Sequence, residues 1–261
     1  MIAAASAFAV SEPPASSTVN ASLVQIDEPR HLGTQMSADV LLTDDQGRDF
    51  RLGDMLGKPM ILLLSYYGCD GTCPTMNAEL AKVLAKVERF RLGQDYRVLT
   101  VSFDPRDSDR TAHQFLTKTG GVPDSMRTGW RHAVLADRGT TAFTQSVGFK
   151  YFWSDAAKAF MHSNVLVFLT PQGRVARYIY GTRMDARTIE LALTEADWSR
   201  ISASTAVFDI LVGACFSYNY SEGRYQPNYA QLIGLGSFLL GLSLIVLGLW
   251  SYRRGRGRTR A

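Results

Sequence analysis

The sequence predicts an α/β fold in which helices flank a central mixed sheet. Residues 60–67 (MILLLSYY) and 96–103 (YRVLTVSF) are short runs rich in apolar side chains, typical of strands that are covered on both faces. Between them, the apolar side chains from Leu80 to Val87 recur with the spacing of one helix face. Strands that alternate with helices, bounded by hairpins, indicate a sheet with helices on both sides.

Turn residues and periodicity place the other elements. Residues 38–53 alternate apolar and polar side chains around Asp45-Gln46-Gly47 and predict a β-hairpin. Ser108 is a suitable N-cap for a helix that ends at Thr119. Pro74 lies where the first turn of a helix would begin, and helical spacing follows over 76–90. The remaining predicted elements are a strand over 133–135, a helix over 140–147, a strand pair over 162–170 and 175–180, and a last helix over 185–195.

Composition divides the chain into five segments. Residues 1–28 have the character of a leader or of a truncated signal peptide, because Ala5-Ser6-Ala7 fits the cleavage preference of signal peptides. The segments predicted after it are a folded domain over 30–197, a connector over 198–230, a transmembrane helix over 231–251 and a basic cytoplasmic tail over 252–261.

The predicted span also sets an expected location. Residues 232–250 carry no charged side chain and are long enough to cross a bilayer as a helix. A buried core helix is the alternative, but such a helix is rarely followed by a sequence like RRGRGRTR. Because arginine-rich flanks stay cytoplasmic, we expect the domain on the opposite side. In a bacterium this means a single C-terminal span in the inner membrane and a soluble domain in the periplasm.

The net charge of +4 does not indicate nucleic-acid binding. Five arginines lie within the last nine residues, and without them the chain is close to neutral. The basic character therefore belongs to the tail, and no nucleic acid is expected as a partner.

Two of the three cysteines, Cys69 and Cys73, follow the first buried strand and precede a helix. A thioredoxin-like fold places its reactive thiols at such a junction, so the pattern predicts that fold. The N-terminus of a helix stabilises a thiolate, and the spacing keeps both sulfurs within reach of a disulfide or a shared metal. Burial of both residues in the core is the alternative. Cys215 stands alone, and packing, pairing with another chain and an auxiliary thiol role all stay open.

A metal held by two thiolates needs a further ligand, and His162 is the best candidate. Thiolates select Cu(I), zinc or iron–sulfur clusters. His162 begins a predicted strand after a loop over 151–153, which in a thioredoxin-like topology can approach the cysteine-bearing helix. With Cys69 and Cys73 it would form an S₂N site, suited to Cu(I) and, with an added ligand, to Cu(II). A structural role for His162 is the alternative.

Four other polar residues are interpreted as structural. His113 and His132 are expected to face solvent. Asp104 and Asp107 are expected to cap the helix that follows them, with orientation of a loop as the alternative.

The domain resembles the Sco/SenC family of copper chaperones for cytochrome c oxidase. The resemblance covers roughly residues 30–197 and depends on the motifs YYGCDGTCP, VSFDPRDS and HSNVLVFLTPQGRV. Three features depart from the family pattern: Asp70 stands where proline is usual, Met161 where aspartate is frequent, and the anchor is C-terminal. A C-terminal span preceded by Cys215-Phe216-Ser217-Tyr218 resembles a bacterial subgroup.

The resemblance implies that Cys69, Cys73 and His162 bind copper, as Cu(I) or Cu(II). It implies delivery of copper to the binuclear centre of the oxidase, or prior reduction of the cysteines of that centre. The implied partners are the copper-bearing subunit of the oxidase and other periplasmic copper chaperones.

Three functions compete on this basis. A metallochaperone, which is not an enzyme, would pass copper on by ligand exchange, and this interpretation is favoured. A thiol–disulfide oxidoreductase would use Cys69 and Cys73, with His162 tuning their pKa. Peroxidase-like chemistry is suggested by Cys73-Pro74-Thr75, but the supporting threonine three residues before the cysteine is missing.

Overall fold

The computed structural model describes residues 23–69, 71–119, 122–137, 139–181, 184–199, 216–219 and 224–227, and the helical positions 233, 237, 240, 241 and 243. In chain order, its elements are α1 (Glu28–His31), β1 (Leu41–Asp44), β2 (Asp49–Arg51), β3 (Met60–Ser65), α2 (Thr72–Leu84), β4 (Arg97–Ser102), α3 (Asp109–Thr119), β5 (Trp130–Leu135), α4 (Thr140–Ser146), β6 (Tyr151–Ser154), β7 (Ala159–His162), β8 (Val165–Leu169), β9 (Val175–Tyr180), α5 (Ala186–Asp197), β10 (Phe216–Asn219) and β11 (Arg224–Pro227).

Seven strands form one mixed sheet in the order β2-β1-β5-β4-β3-β8-β9. The strands β3, β4 and β5 run parallel, whereas β1 is antiparallel to β5, and β8 is antiparallel to both β3 and β9. The two hairpins expected from turn residues, β1–β2 and β8–β9, lie at the two edges. The predicted α/β architecture with a mixed central sheet is confirmed.

Neighbouring side chains of β3 pack into two separate cores. Leu62 belongs to the core that contains buried residues of α3 and α4. Ile61 and Leu63 belong to the core that contains buried residues of α2 and α5. Because successive strand residues point to opposite faces, a strand covered on both sides needs an unbroken apolar run. All residues of β3 are accordingly buried, as far as Ser65, after which the loop that carries Cys69 begins.

Helix α2 begins with Pro74 in its first turn, as predicted, and ends earlier than the predicted range of 76–90. It starts at Thr72, and Pro74 lies in its first turn, where a proline costs no intrahelical hydrogen bond. It ends at Leu84, after which the N–H groups of Lys86 and Val87 donate to carbonyls three residues back, at 2.9 and 3.2 Å. The carboxylate of Glu190 on α5 accepts from the N–H groups of residues 88 and 89 at 2.9 and 3.1 Å.

The segment before β8 differs from the expectation. Residues 151–162 form a separate antiparallel hairpin, β6–β7, in which Tyr151 pairs with His162. His162 is therefore the last residue of β7 and does not begin the next strand, which starts at Val165. The hairpin is held by its aromatic side chains: Phe160 packs edge-on against Trp153 at 5.2 Å and against Phe103 of the domain core at 5.7 Å, measured between ring centroids.

The packed domain begins a few residues before the predicted boundary at 28. Ile26 is 4% exposed and joins a core cluster, and the Ser163 hydroxyl donates to the Val24 carbonyl at 2.7 Å. Residues 1–22, Cys215 and the tail over 252–261 lie outside the described residues, as does nearly all of the predicted span over 231–251. In the part of the chain that the structure describes, no helix has the length and apolar character needed to cross a membrane.

Candidate metal and thiol site

The two cysteines lie where β3 gives way to α2. Cys69 is half-buried in the connecting loop, and Cys73 is buried in the first turn of the helix. The Cys69 N–H donates to the Tyr66 carbonyl at 3.3 Å. The Tyr67 N–H donates to the Asp107 carboxylate at 2.7 Å, which fixes the start of the loop. The structure thus places both thiols at the predicted junction of strand and helix.

The two thiols differ in how readily they ionise. The pKa of Cys69 is lowered, first because the Cys73 thiol donates a hydrogen bond to its sulfur, although burial opposes this. The Cys73 N–H, the Tyr66 hydroxyl and the Gly71 N–H, 3.4 Å from the sulfur, add to the effect. The pKa of Cys73 is raised by the same shared proton and by burial. Cys69 is therefore the thiolate of the pair, and Cys73 keeps the proton.

His162 presents a free ring nitrogen to Cys73. Its Nδ1 lies 3.0 Å from the Ser163 carbonyl, so this nitrogen carries the hydrogen and donates it. Its Nε2 is then the lone-pair nitrogen, and it lies 3.8 Å from the Cys73 sulfur. Burial lowers the pKa of His162, so the ring stays neutral. A neutral imidazole whose other nitrogen is held by a carbonyl is the usual form of a metal-binding histidine.

Aromatic rings enclose the imidazole of His162. The centroids of Phe103, Phe149 and Tyr66 lie 5.1, 5.6 and 6.2 Å from that of the imidazole. Phe103 is fully buried and also packs against Tyr151, the β-sheet partner of His162. These contacts fix the orientation of the ring through packing, in addition to the hydrogen bond at Nδ1.

The separation of Cys73 and His162 suits a shared metal ion. With a metal–sulfur bond of about 2.3 Å and a metal–nitrogen bond of about 2.0 Å, the 3.8 Å separation corresponds to an angle of about 120° at the metal. Within the described residues, no three His, Cys, Asp or Glu side chains form a group arranged to hold a metal ion. The Cys69 sulfur already accepts from the Cys73 thiol, so it has only to approach His162 to complete an S₂N site.

A buried polar network behind Cys73 was not predicted. The Asn77 amide donates to the Cys73 carbonyl at 2.9 Å, and its oxygen contacts the Thr100 hydroxyl and the His132 ring, both at 3.1 Å. The Trp130 indole donates to the Thr100 hydroxyl at 2.9 Å. The expectation that His132 faces solvent is wrong, because it is 1% exposed. An asparagine inside a helix, a position that this residue rarely favours, was the available indication.

The acidic loop after β4 orients its surroundings more than it caps a helix. The Asp107 carboxylate accepts from the Ser102 hydroxyl and from the loop that leads to Cys69. Asp104 binds the Arg106 guanidinium. Capping of α3 falls to Ser108, whose hydroxyl accepts from the Thr111 N–H at 3.3 Å, as predicted. His113 is exposed, also as predicted.

Comparisons with known proteins agree with this architecture. The model of the SCO1/SenC family matches residues 29–196. A candidate electron transfer protein from Aquifex aeolicus is 29% identical, with a TM-score of 0.58, and the match covers 64% of this chain and 95% of that chain. BsSco, described as a member of the Sco family of cytochrome c oxidase assembly proteins, is 17% identical, with a TM-score of 0.52 and coverage of 66% and 97%.

A copper-bound ScoI structure from Arabidopsis thaliana is 20% identical, with a TM-score of 0.49 and coverage of 60% of this chain and 94% of that chain. None of the curated proteins compared with the chain matches it. The matched range of the family model contains both thiols of the junction and His162.

Proposed function

Because the chain belongs to the SCO1/SenC family, we propose that it binds copper through Cys69, Cys73 and His162 and acts in the assembly of cytochrome c oxidase. The observation that carries the proposal is the 3.8 Å approach of His162 Nε2 to the Cys73 sulfur. Two sulfurs and one neutral imidazole form a donor set that suits Cu(I) and accommodates Cu(II) with one more ligand.

The three ligands contribute differently to copper binding. Cys69 offers a thiolate at once, because its lowered pKa leaves the sulfur unprotonated near neutral pH. Cys73 holds its proton until a metal ion displaces it, so binding releases a proton. His162 supplies a nitrogen whose direction is fixed before the ion arrives. Copper is the cargo in this account, and the side chains hold and release it.

Transfer to the copper-bearing oxidase subunit would begin at Cys69. This residue is half-buried in a loop, whereas Cys73 is buried at the start of a helix. An incoming thiolate or imidazole reaches the copper from the side of Cys69 and replaces it first. The proposal includes a periplasmic domain held at the inner membrane by residues 231–251, with other periplasmic copper chaperones as donors.

Copper titration of the reduced full-length chain tests the proposal. We expect one Cu(I) bound per chain in competition with a chromogenic chelator, and a Cu(II) absorption band that His162→Ala removes. His113→Ala is the matched control, because that histidine is 58% exposed and its Nδ1 lies 3.9 Å from the Asp45 carboxylate. Failure of the wild type to bind Cu(I), or equal Cu(II) spectra for wild type and His162→Ala, would contradict the proposal.

Thiol–disulfide exchange is the second candidate function. The observation that favours it is the opposed ionisation of the two thiols, with a thiolate at Cys69 and a retained proton at Cys73. A nucleophilic thiolate beside a protonated partner is the arrangement of a dithiol reductant. A disulfide-bonded peptide carrying the two cysteines of an oxidase copper site tests it: the reduced chain should open the peptide, and Cys69→Ser should not.

A further inference from the structure

Tyr66 contacts all three of the proposed copper ligands. It directly follows β3 and is 7% exposed. Its hydroxyl donates a hydrogen bond to the Cys69 sulfur, and its backbone N–H donates to the Cys73 sulfur. Its ring meets the imidazole of His162 edge-on, with 6.2 Å between the centroids. One residue thus connects the cysteine-bearing loop, the start of α2 and the hairpin β6–β7.

The ring and the hydroxyl of Tyr66 are both held in place by the hairpin and the core. The ring centroids of Phe160 and Phe103 lie 5.2 and 5.5 Å from that of Tyr66. The Phe160 N–H donates to the hydroxyl oxygen. Because a phenol hydroxyl can accept and donate at once, this bond leaves its hydrogen for the Cys69 sulfur. The direction of the hydroxyl is therefore set before copper arrives.

The hydroxyl of Tyr66 acts on the side of Cys69 where copper would bind. Tyr66, Cys69 and His162 line one cavity, of about 330 Å³. A thiolate sulfur has more than one lone pair, so it can bind a metal ion and still accept a hydrogen bond. The bond from Tyr66 can therefore persist when the Cys69 sulfur becomes a copper ligand.

We propose that Tyr66 is a positioning residue of the copper site, whose hydroxyl holds the Cys69 sulfur beside His162 and favours Cu(I) over Cu(II). This inference rests on copper binding, the first proposed function. It adds a residue that does not bind the ion but sets how strongly each oxidation state is held.

The preference for Cu(I) follows from the chemistry of the sulfur. A hydrogen bond draws electron density from a thiolate, so the sulfur donates less to the metal. Cu(II) carries the greater charge and gains more from this donation, so it loses more when the donation is weakened. Hydrogen bonds around a cysteine ligand tune the reduction potential of protein copper sites in this way.

Tyr66→Phe tests the inference, because it removes the hydroxyl and keeps the ring. The parent is the reduced full-length chain with Cys215→Ser, and its affinities for Cu(I) and Cu(II) are each measured against a competing chelator. We expect the variant to raise the ratio of Cu(II) to Cu(I) affinity by about tenfold, which for a one-electron couple lowers the reduction potential by about 59 mV. The sulfur-to-Cu(II) absorption band should move to longer wavelength.

Tyr178→Phe is the matched control. It removes the hydroxyl of another buried tyrosine, which lies on the edge strand β9 and donates to the Val147 carbonyl at 2.9 Å. Both variants lose one buried hydrogen bond and should cost stability. Tyr178→Phe should nevertheless keep the affinity ratio and the band position of the parent.

The possible outcomes separate this inference from the copper proposal. An equal affinity ratio for the parent and Tyr66→Phe, with both binding copper, would overturn the role of Tyr66 and leave the copper proposal standing. A shift of the same size in Tyr178→Phe would also overturn it, because the loss of any buried hydroxyl would then suffice. Absence of Cu(I) binding by the parent would overturn the copper proposal, and this inference with it.

Discussion

The Cys73 sulfur and the His162 Nε2 lie 3.8 Å apart although 89 positions separate the two residues in the chain. Cys73 is placed by the first turn of α2, and His162 by the end of the hairpin β6–β7. The two elements share no strand pairing, since the hairpin forms a sheet of its own. Their approach depends on packing of the hairpin against the domain core, where Phe160 contacts Phe103.

Cys69 should react with alkylating agents at a lower pH than an ordinary cysteine. Because its folded pKa is lowered, the thiolate persists as the pH falls below the free value of about 8.5, and it is lost only when the pH falls through the folded pKa. Peptide mapping after iodoacetamide treatment should show Cys69 modified first, with a midpoint below about 8.5. Cys73→Ala should raise this midpoint, because it removes the largest cause of the shift. A midpoint at the free value in the wild type would rule out the proposed ionisation.

His132 should make the domain less stable in acid. Burial, with a smaller contribution from Arg127, lowers the pKa of His132 to about 3. The unfolded chain, with a histidine pKa of about 6.5, then binds a proton that the folded chain does not, so the free energy of unfolding falls as the pH drops below about 6.5 towards the folded pKa. His132→Gln should flatten this dependence, measured by urea unfolding at several pH values.

The matched control for that series is His113→Gln, because the side chain of His113 is 58% exposed. It should retain the pH dependence of the wild type. The free energies of unfolding of His132→Gln and the wild type could instead fall in parallel from neutral to acid pH. In that case the assignment of a buried, neutral His132 would be wrong.

Phe103→Leu should weaken copper binding without removing a ligand. The Phe103 ring lies 5.1 Å from the imidazole of His162 and is fully buried. We expect a loss of about 1–2 kcal/mol in the free energy of unfolding and a severalfold to about tenfold loss of Cu(II) affinity. Phe50→Leu is the control, a buried phenylalanine on the edge strand β2, which should cost stability and leave copper affinity intact. Equal copper affinity in the two variants would contradict the positioning role of Phe103.

Asn77→Ala should destabilise the fold strongly for a single polar substitution. It removes the amide that donates to the Cys73 carbonyl and the oxygen that contacts the Thr100 hydroxyl and the His132 ring. The Thr100 hydroxyl then keeps the Trp130 indole as a donor but loses its acceptor. The expected cost is about 2–4 kcal/mol in the free energy of unfolding, against less than about 0.5 kcal/mol for the exposed Gln94→Ala. If urea unfolding gave a difference of less than about 1 kcal/mol between the two variants, the network would contribute little to stability.

The features that local sequence determines were predictable. The apolar run of β3 specifies a strand buried on both faces, and Pro74 restricts the helix start to its neighbourhood, so the place of Cys69 and Cys73 followed. The residues alone made His162 the best candidate for a third ligand, and the family resemblance implied the same role, although its strand was assigned wrongly. That error arises because the hairpin over 151–162 is stabilised by Phe103, which lies far away in the sequence.

The features that depend on distant partners were not predictable in the same way. His132 lies before the predicted strand over 133–135, but β5 begins at Trp130 and lies between β1 and β4. Its burial is tolerated because Asn77, on α2, supplies a hydrogen-bond partner. Helix α2 ends at Leu84, and beyond it a carboxylate of α5 accepts from the N–H groups of residues 88 and 89. Neither partner is visible in a local window of sequence.

The most direct measurement of the central claim is X-ray absorption at the copper edge. The sample is the reduced full-length chain with Cys215→Ser, loaded with one equivalent of Cu(I), so that sulfur ligands can come only from Cys69, Cys73 or methionine. The account predicts two sulfur neighbours and one imidazole, with the imidazole scattering absent in His162→Ala. A copper shell without sulfur, or an imidazole contribution that survives His162→Ala, would contradict it.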